Sequence, residues 1–183
     1  VGPVDLVLIP SQGFKFEVQD QRFFKRVEWL KKCYLEGADL ASVCTGAFTL
    51  AATGLLDGKT ATTHWGVAKA FKAAFPKTSL RTDLMVVDEG RLFCGGGMTA
   101  DLNLSLYLIN KYCGREVALQ CSRCTLVDLG SLSQLPFTVY IPEKNHKDSK
   151  ILDIQEWIEI NFSHNFTIET LAKKAEMSSR NFN

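Results

Sequence analysis

The sequence predicts an α/β fold, a mostly parallel sheet flanked by helices, followed by a linker and the start of an all-α helix-turn-helix. Three observations carry this. Short apolar runs alternate with stretches whose apolar residues recur at helical spacing, as in a parallel sheet covered on both faces. The 183 residues are 46% apolar and 22% charged, the balance of an ordinary globular chain. That length suits one domain plus an appendage, and periodicity fades at about Asp128 before returning at Lys150.

Each element has a local reason. Leu6 to Pro10 is an apolar run stopped by proline, a buried strand, and Ser11-Gln12-Gly13 is a turn. From Gln21 to Tyr34, Phe23, Val27, Leu30 and Tyr34 share one helical face, with Gly37 beyond the end. Leu40 to Val43 reads as a second buried strand. Ala47 to Leu56 is a buried helix with Gly54 near its end. Thr60 to Thr63 suits a short strand, and Val67 to Phe75 a helix closed by Pro76. Leu84–Val87 and Arg91–Cys94 flank Asp88-Glu89-Gly90 as a hairpin. Gly95, Gly96 and Gly97 lead into a helix from about Thr99, a candidate N-cap, to Tyr112. A further helix covers about Glu116 to Val127.

Leu129 to Ser149 contains Gly, Ser, Pro, Asn and His without periodicity, and reads as a linker. The domain boundaries expected are therefore 1–127, a linker at 128–149, and 150–183. In the last stretch Ile151, Ile154, Trp157, Ile158 and Phe162 fall at helical spacing. A second helix is expected over Ile168–Ala175 and a third from Ser178, with Thr167 and Ser178 as N-caps. Ile168, Leu171, Ala172, Ala175, Met177 and Phe182 have the spacing of a helix-turn-helix core.

Composition sets limits on function. With 21 basic and 20 acidic residues the net charge is +1, which gives no electrostatic footprint for nucleic acid. No run of about 18 apolar residues exists to span a membrane. The N-terminus lacks the basic segment of a secretory signal. It also lacks methionine, so the chain is read as a piece of a longer protein. Six dispersed cysteines in a chain with ample apolar content suit a reducing, cytoplasmic setting. Cys121-Ser-Arg-Cys124 is a lone C-x-x-C in a helix; zinc needs four ligands, so no metal or cofactor is expected. The three glycines lack the lysine of a phosphate loop and read as close backbone packing.

The chemistry concentrates on Val43-Cys44-Thr45-Gly46, between a strand and a buried helix. A side chain on such a turn sits at a helix N-terminus, where the dipole and free amides favour anionic sulfur and can hold an oxyanion. The plain alternative is a buried cysteine in a tight turn. His64 follows twenty residues later, in the string that runs from Ser42 to Trp65. A histidine after a strand can equally be a satisfied structural residue.

This string, SVCTGAFTLAATGLLDGKTATTHW, resembles the ThiJ/PfpI family of class I glutamine-amidotransferase-like proteins, in the branch fused to AraC-type regulators. The match is nearly unbroken from Ser42 to Trp65, Gly97 to Asp101 resembles the family's G-V-T-A-G-x-D stretch, and the likeness spans about Val4 to Val127. It implies a flavodoxin-like sheet, Cys44 as the elbow cysteine and His64 beside it. Two departures follow. The family's first strand, helix and following strands, with the acidic residue that partners the cysteine in catalytic relatives, should precede Val4. Relatives carry two glycines after the strand-ending proline, where this chain has Ser11 and Gln12 before Gly13.

Thr167 to Phe182 resembles the first helix-turn-helix of AraC-type regulators, L-A-x-x-A-x-M-S-x-R-x-F, and Gln155 to Asn161 their leading helix. Relatives often place glycine where Glu176 sits; a left-handed glutamate there costs about 1 kcal/mol. Residues 143–183 carry 6 basic and 7 acidic groups.

The resemblance implies a transcriptional regulator. A ligand pocket of Gly13, Cys44, Thr45, His64, Gly97 and Thr99 would take a small nitrogen-containing metabolite, an amino acid or quaternary amine. The sensor would form a homodimer, and Ser178, Ser179, Arg180 and Asn181 would face an operator DNA. The alternative is an enzyme of the isocyanide hydratase type, with Cys44 as nucleophile and His64 near it. An activated Cys44 would also suit oxidation sensing.

Overall fold

The computed structural model describes residues 4–13, 21–97, 99–129, 133–137 and 144–182. It divides into two units, Val1–Thr138 and Val139–Asn183.

The first unit alternates strand and helix. In order it holds β1 (Leu6–Ile9), α1 (Gln21–Leu35), β2 (Asp39–Val43), α2 (Gly46–Ala52), β3 (Thr60–Ala61), a 3-10 turn (Trp65–Val67), α3 (Ala68–Ala74), β4 (Ser79–Leu80), β5 (Val86–Asp88), β6 (Leu92–Gly95), α4 (Ala100–Cys113) and α5 (Arg115–Thr125). The main sheet has the order β1-β2-β6-β5. β1 runs parallel to β2 and β2 to β6, with Leu40 beside Leu92 and Val43 beside Gly95. Among the described strands of this sheet β5 is the antiparallel one, as the hairpin with β6 requires. The expected α/β fold with a mostly parallel sheet is what forms.

Strand alternation sends residues to two cores. On one face Leu40, Leu92 and Cys94 pack with Leu30 of α1, Leu50 of α2 and Phe71 of α3. On the other, Ala41, Val43 and Phe93 pack with Leu104 and Leu108 of α4. α1 buries Phe23, Val27, Leu30 and Cys33, so the fourth core position is Cys33 rather than Tyr34. Gly114, at φ 88°, separates α4 from α5.

Three expected segment bounds in the first unit need correction. The helix expected to reach Leu56 ends at Ala52, because the Thr53 hydroxyl donates to Leu50 O (2.5 Å) and Gly54 turns left-handed (φ 77°). The strand expected over 60–63 keeps its ladder only at Thr60 and Ala61, paired in parallel with Ser79 and Leu80, a strand too short to leave a pattern. Within the stretch expected as a linker, residues 133–137 attach to the first unit. Ser133 bridges Leu84, and the Gln134 amide donates to Asp83 O (2.8 Å).

At the entry of the parallel strands a charged clamp closes the sheet. Arg91 donates to Asp39 Oδ1 (3.1 Å), Tyr34 O (2.9 Å) and Ala38 O (2.7 Å), and lies over the Tyr34 ring at 4.4 Å. Tyr112 donates to Asp39, while Tyr107 and Lys111 donate to Asp88 Oδ2 at 2.6 and 2.8 Å. Accepting that hydroxyl, Asp88 pushes the Tyr107 phenol up to about 12.

The second unit holds α6 (Ser149–Asn161), α7 (Ile168–Lys174) and α8 (Ser179–Phe182). Asp148 caps α6 by accepting from Ile151 N (3.2 Å), and Thr167 caps α7 by accepting from Thr170 N (3.3 Å). Ile154, Leu171 and Ala175 form its core, with Trp157, Ile158, Phe166, Met177 and Phe182 packed around them. Ile168 and Phe162, expected on the buried faces, are 46% and 79% exposed. Ile168 opens the first turn of α7, ahead of the stripe that Leu171 and Ala175 begin.

Candidate functional site

β2 ends at Val43 and α2 starts at Gly46, so the chain reverses over two residues. Cys44 absorbs the turn at φ 54°, a left-handed conformation that costs a non-glycine residue about 1–2 kcal/mol. Besides the Ala47 amide, from which its carbonyl accepts as the helix begins (3.3 Å), two hydrogen bonds from outside the turn hold it there. Its amide donates to Gly95 O (2.9 Å), and its carbonyl accepts from the Thr63 hydroxyl (2.8 Å). The residue is 1% exposed. Gly46 is dictated by contact: a Cβ there would lie 2.5 Å from Ile9 O and 2.7 Å from Pro10 O, both backbone atoms.

Thr45 is buried beside it. Its hydroxyl accepts from the Gln12 amide (2.8 Å) and shares a hydrogen bond with the Ser11 hydroxyl (3.0 Å). The residues standing in place of the two glycines are thus committed to Thr45. Gly13 joins only through Ser11, whose oxygen accepts from its amide at 3.4 Å.

His64 caps the 3-10 turn. Its Nδ1 accepts from Gly66 N (3.0 Å), and its ring stacks on Trp65 with centroids 5.2 Å apart. An accepting Nδ1 places the proton of the neutral ring on Nε2. Burial holds its pKa below the ordinary histidine value.

The glycine run completes the site. A Cβ on Gly95 would press against Ala100 O and Leu104, and one on Gly97 would reach within 3.5 Å of His64 Cδ2. On Gly96 it would overlap the Gln134 side chain. Thr99 takes the N-cap position of α4 in helical conformation without a side-chain capping bond, contrary to expectation. Its carbonyl accepts from Leu102 N (3.2 Å), whose amide also meets Asp101 Oδ1 (2.7 Å).

The structure therefore links Cys44, Thr45, His64 and Gly97 at the exit of the parallel strands, with Gly13 and Thr99 exposed at their margins. One partner, Gln134, had no signal in the sequence; Ser11 was visible only as a departure from the family's glycines and Thr63 only as part of the matching string. The arrangement joins hydroxyls, amides and a neutral imidazole to the backbone of an elbow whose cysteine is left-handed. Among the described residues no cluster of three or more His, Cys, Asp or Glu could hold a metal. Cavities in the first unit lie elsewhere among the described residues. One of about 100 Å³ is lined by Val86, Asn103, Tyr107 and Arg115, and one of about 290 Å³ runs along β1 and Trp29, reaching the site side through Pro10 and Gln12.

In the second unit, α7 ends in a Schellman motif. Met177 N donates to Ala172 O (2.9 Å) and Glu176 N to Lys173 O (3.2 Å), with Glu176 left-handed at φ 55°. Its carboxylate pairs with Lys150 (2.8 Å), which holds it below the usual carboxylate range. Ser178 Oγ accepts from Asn181 N (3.3 Å), and Ser178, Ser179, Arg180 and Asn181 are all exposed.

Comparison with known proteins agrees with the fold. The chain is similar to the HTH-type transcriptional regulator CdhR of Pseudomonas aeruginosa, 40% identical over 96 residues, 52% of this chain and 28% of that protein. It is similar to the isonitrile hydratase of Pseudomonas putida, 41% identical over 117 residues, 63% of this chain and 48% of that protein. The chain thus spans about a quarter to a half of these relatives. In structure it resembles an AraC family transcriptional regulator from Pseudomonas putida, at TM-score 0.57 and 17% identity, covering 66% of this chain and 63% of that one. The sequence profile of the DJ-1/PfpI family matches residues 3–111, the span that carries the elbow and its glycine run, and the chain belongs to that family.

Proposed function

We propose that this chain is part of a transcriptional regulator, with a metabolite-sensing DJ-1/PfpI unit joined to a DNA-docking helix-turn-helix. One observation carries the reading: a DJ-1/PfpI unit is followed in the same chain by a capped helix, a left-handed turn and a second capped helix start. The sensing domain takes in residues 133–137 beyond the expected 1–127, and 150–183 are the start of the DNA-binding domain. The name of the similar CdhR protein supports this. α8 would present Ser178, Ser179, Arg180 and Asn181 to a groove, and a homodimer would match two half-sites. The elbow network of Cys44, Thr45, His64 and Gly97, neutral throughout and with the His64 Nε2–H as a donor, would take a small nitrogen-containing metabolite. Six free cysteines suit a reducing cytoplasm, and no helix among the described residues is long and apolar enough to cross a membrane.

The test is selection of DNA from a random pool by the full-length parent protein. The expected outcome is enrichment of a two-half-site sequence, lost on Arg180→Ala. Binding without sequence enrichment would overturn the reading.

The likeness to an isonitrile hydratase over 63% of the chain supports a second reading. In it Cys44 assists addition of water to an isonitrile, giving the N-substituted formamide. Formamide production abolished by Cys44→Ser would establish it; equal rates with and without protein would remove it.

A further inference from the structure

Gln134 lies in a stretch that the sequence marks only as loop, yet it is 2% exposed. Its Nε2 faces three acceptors: Thr62 Oγ1 at 3.0 Å, Thr63 O at 3.3 Å and Leu84 O at 2.8 Å. Two of these are carbonyls that cannot donate, so the amide has one orientation and cannot flip. Its side chain then lies against Gly96, where any Cβ would overlap it. The backbone is fastened too, by Gln134 N to Asp83 O (2.8 Å) and Phe137 N to Gln134 O (2.9 Å).

Among the partners it touches, Thr63 also holds the elbow and Gly96 adjoins the other residue that does, Gly95. Cys44 is kept in its strained turn by the Thr63 hydroxyl and by Gly95 O. Gln134 grips the carbonyl of that same Thr63 and covers Gly96, the neighbour of Gly95. Both anchors of Cys44 are therefore within one residue of this side chain.

We infer that Gln134 is a positioning residue: it fixes the elbow through Thr63 and Gly96 and makes residues 133–137 a strap whose attachment depends on the state of the elbow. With the strap down, Cys44 is locked. With it lifted, the Thr63 carbonyl loses its donor, Gly96 loses its cover and the elbow loosens. Linkage is reciprocal, so a group that fills the elbow better in one strap state shifts the strap toward that state by the same factor. The strap is the start of the chain that leads on to the helical unit, which gives sensing at the elbow a covalent route outward. This builds on the sensing reading, but its test uses neither DNA nor metabolite, so each can fail alone.

The test combines two readouts on the chain as it stands. Iodoacetamide alkylation is followed at each cysteine by peptide mass spectrometry, and hydrogen exchange at the Gln134 and Phe137 amides. Cys94 is the internal control: it is buried in the sheet, and burial pushes its thiol up. Gln134→Met keeps the length of the side chain and removes its hydrogen bonds. The expected result is alkylation of Cys44 about tenfold faster, the scale of one or two lost hydrogen bonds, with Cys94 unchanged. A parallel rise at Cys44 and Cys94 would mean general loosening and overturn the inference. So would an unchanged Cys44 rate. The converse needs no variant: wild-type chain alkylated at Cys44 should exchange the Gln134 and Phe137 amides faster than untreated chain, and equal exchange in the two would also overturn it.

Discussion

Where β2 enters the sheet, Asp39 meets Arg91 and Tyr112; where it leaves, Val43 gives way to Cys44, Thr45 and Gly46. The entry end is charged and redundant, with Arg91 holding three acceptors and Asp88 three donors. The exit end is neutral: the Thr63 hydroxyl and the Ala47 amide meet the Cys44 carbonyl, the Gln12 amide and the Ser11 hydroxyl meet the Thr45 hydroxyl, and the Gly66 amide donates to the His64 imidazole. A satisfied charge cluster stabilises without leaving capacity for a ligand. The exit end is neutral instead, and it is where the backbone is forced into left-handed geometry at Cys44.

The most damaging change should be at the exit end. Gly46→Ala places a Cβ against two backbone carbonyls, and should cost about 3 kcal/mol or more in urea unfolding. Arg91→Ala at the entry end should cost about 2 kcal/mol, since two backbone carbonyls and Asp39 lose a charged donor. It should leave the alkylation rate of Cys44 relative to Cys94 unchanged; a selective rise at Cys44 would blur the contrast between the ends. Glu176→Gly in the second unit should act with the opposite sign. It relieves a left-handed glutamate and should stabilise that unit by about 1 kcal/mol, because the exposed pair with Lys150 adds little. Thermal melting followed by Trp157 fluorescence reads this.

The smallest effect is the pH dependence of His64. Its folded pKa is lowered by burial, so the unfolded chain binds the proton more readily. The stability this neutral cap contributes is present above the unfolded value, about 6.5, and fades as pH falls through it. Unfolding free energy should therefore decline from pH 7 toward 6 more in the wild type than in His64→Asn.

Much of this was legible because its causes are local. Apolar runs located β1 and β2, the Asp88-Glu89-Gly90 turn located the hairpin, and Thr167 and Ser178 declared their caps. Cys44 was legible as an elbow because a strand and a helix meet over two residues with a glycine beside it. What stayed hidden has causes distant in sequence. β4 is two residues long and is defined by its partner β3. Gln134 has meaning only beside Thr62, Thr63 and Leu84, which are 72, 71 and 50 positions away. Thr99 has the composition of a cap, but its helical backbone leaves the hydroxyl without that role.

The contrast between the two ends is tested most directly by thermal shift of the chain against amino acids and quaternary amines. The account predicts that at least one raises the melting temperature, that His64→Ala and Thr45→Val abolish the shift, and that Arg91→Ala preserves it. A shift that survives both exit-end substitutions, or is lost on Arg91→Ala alone, would contradict it.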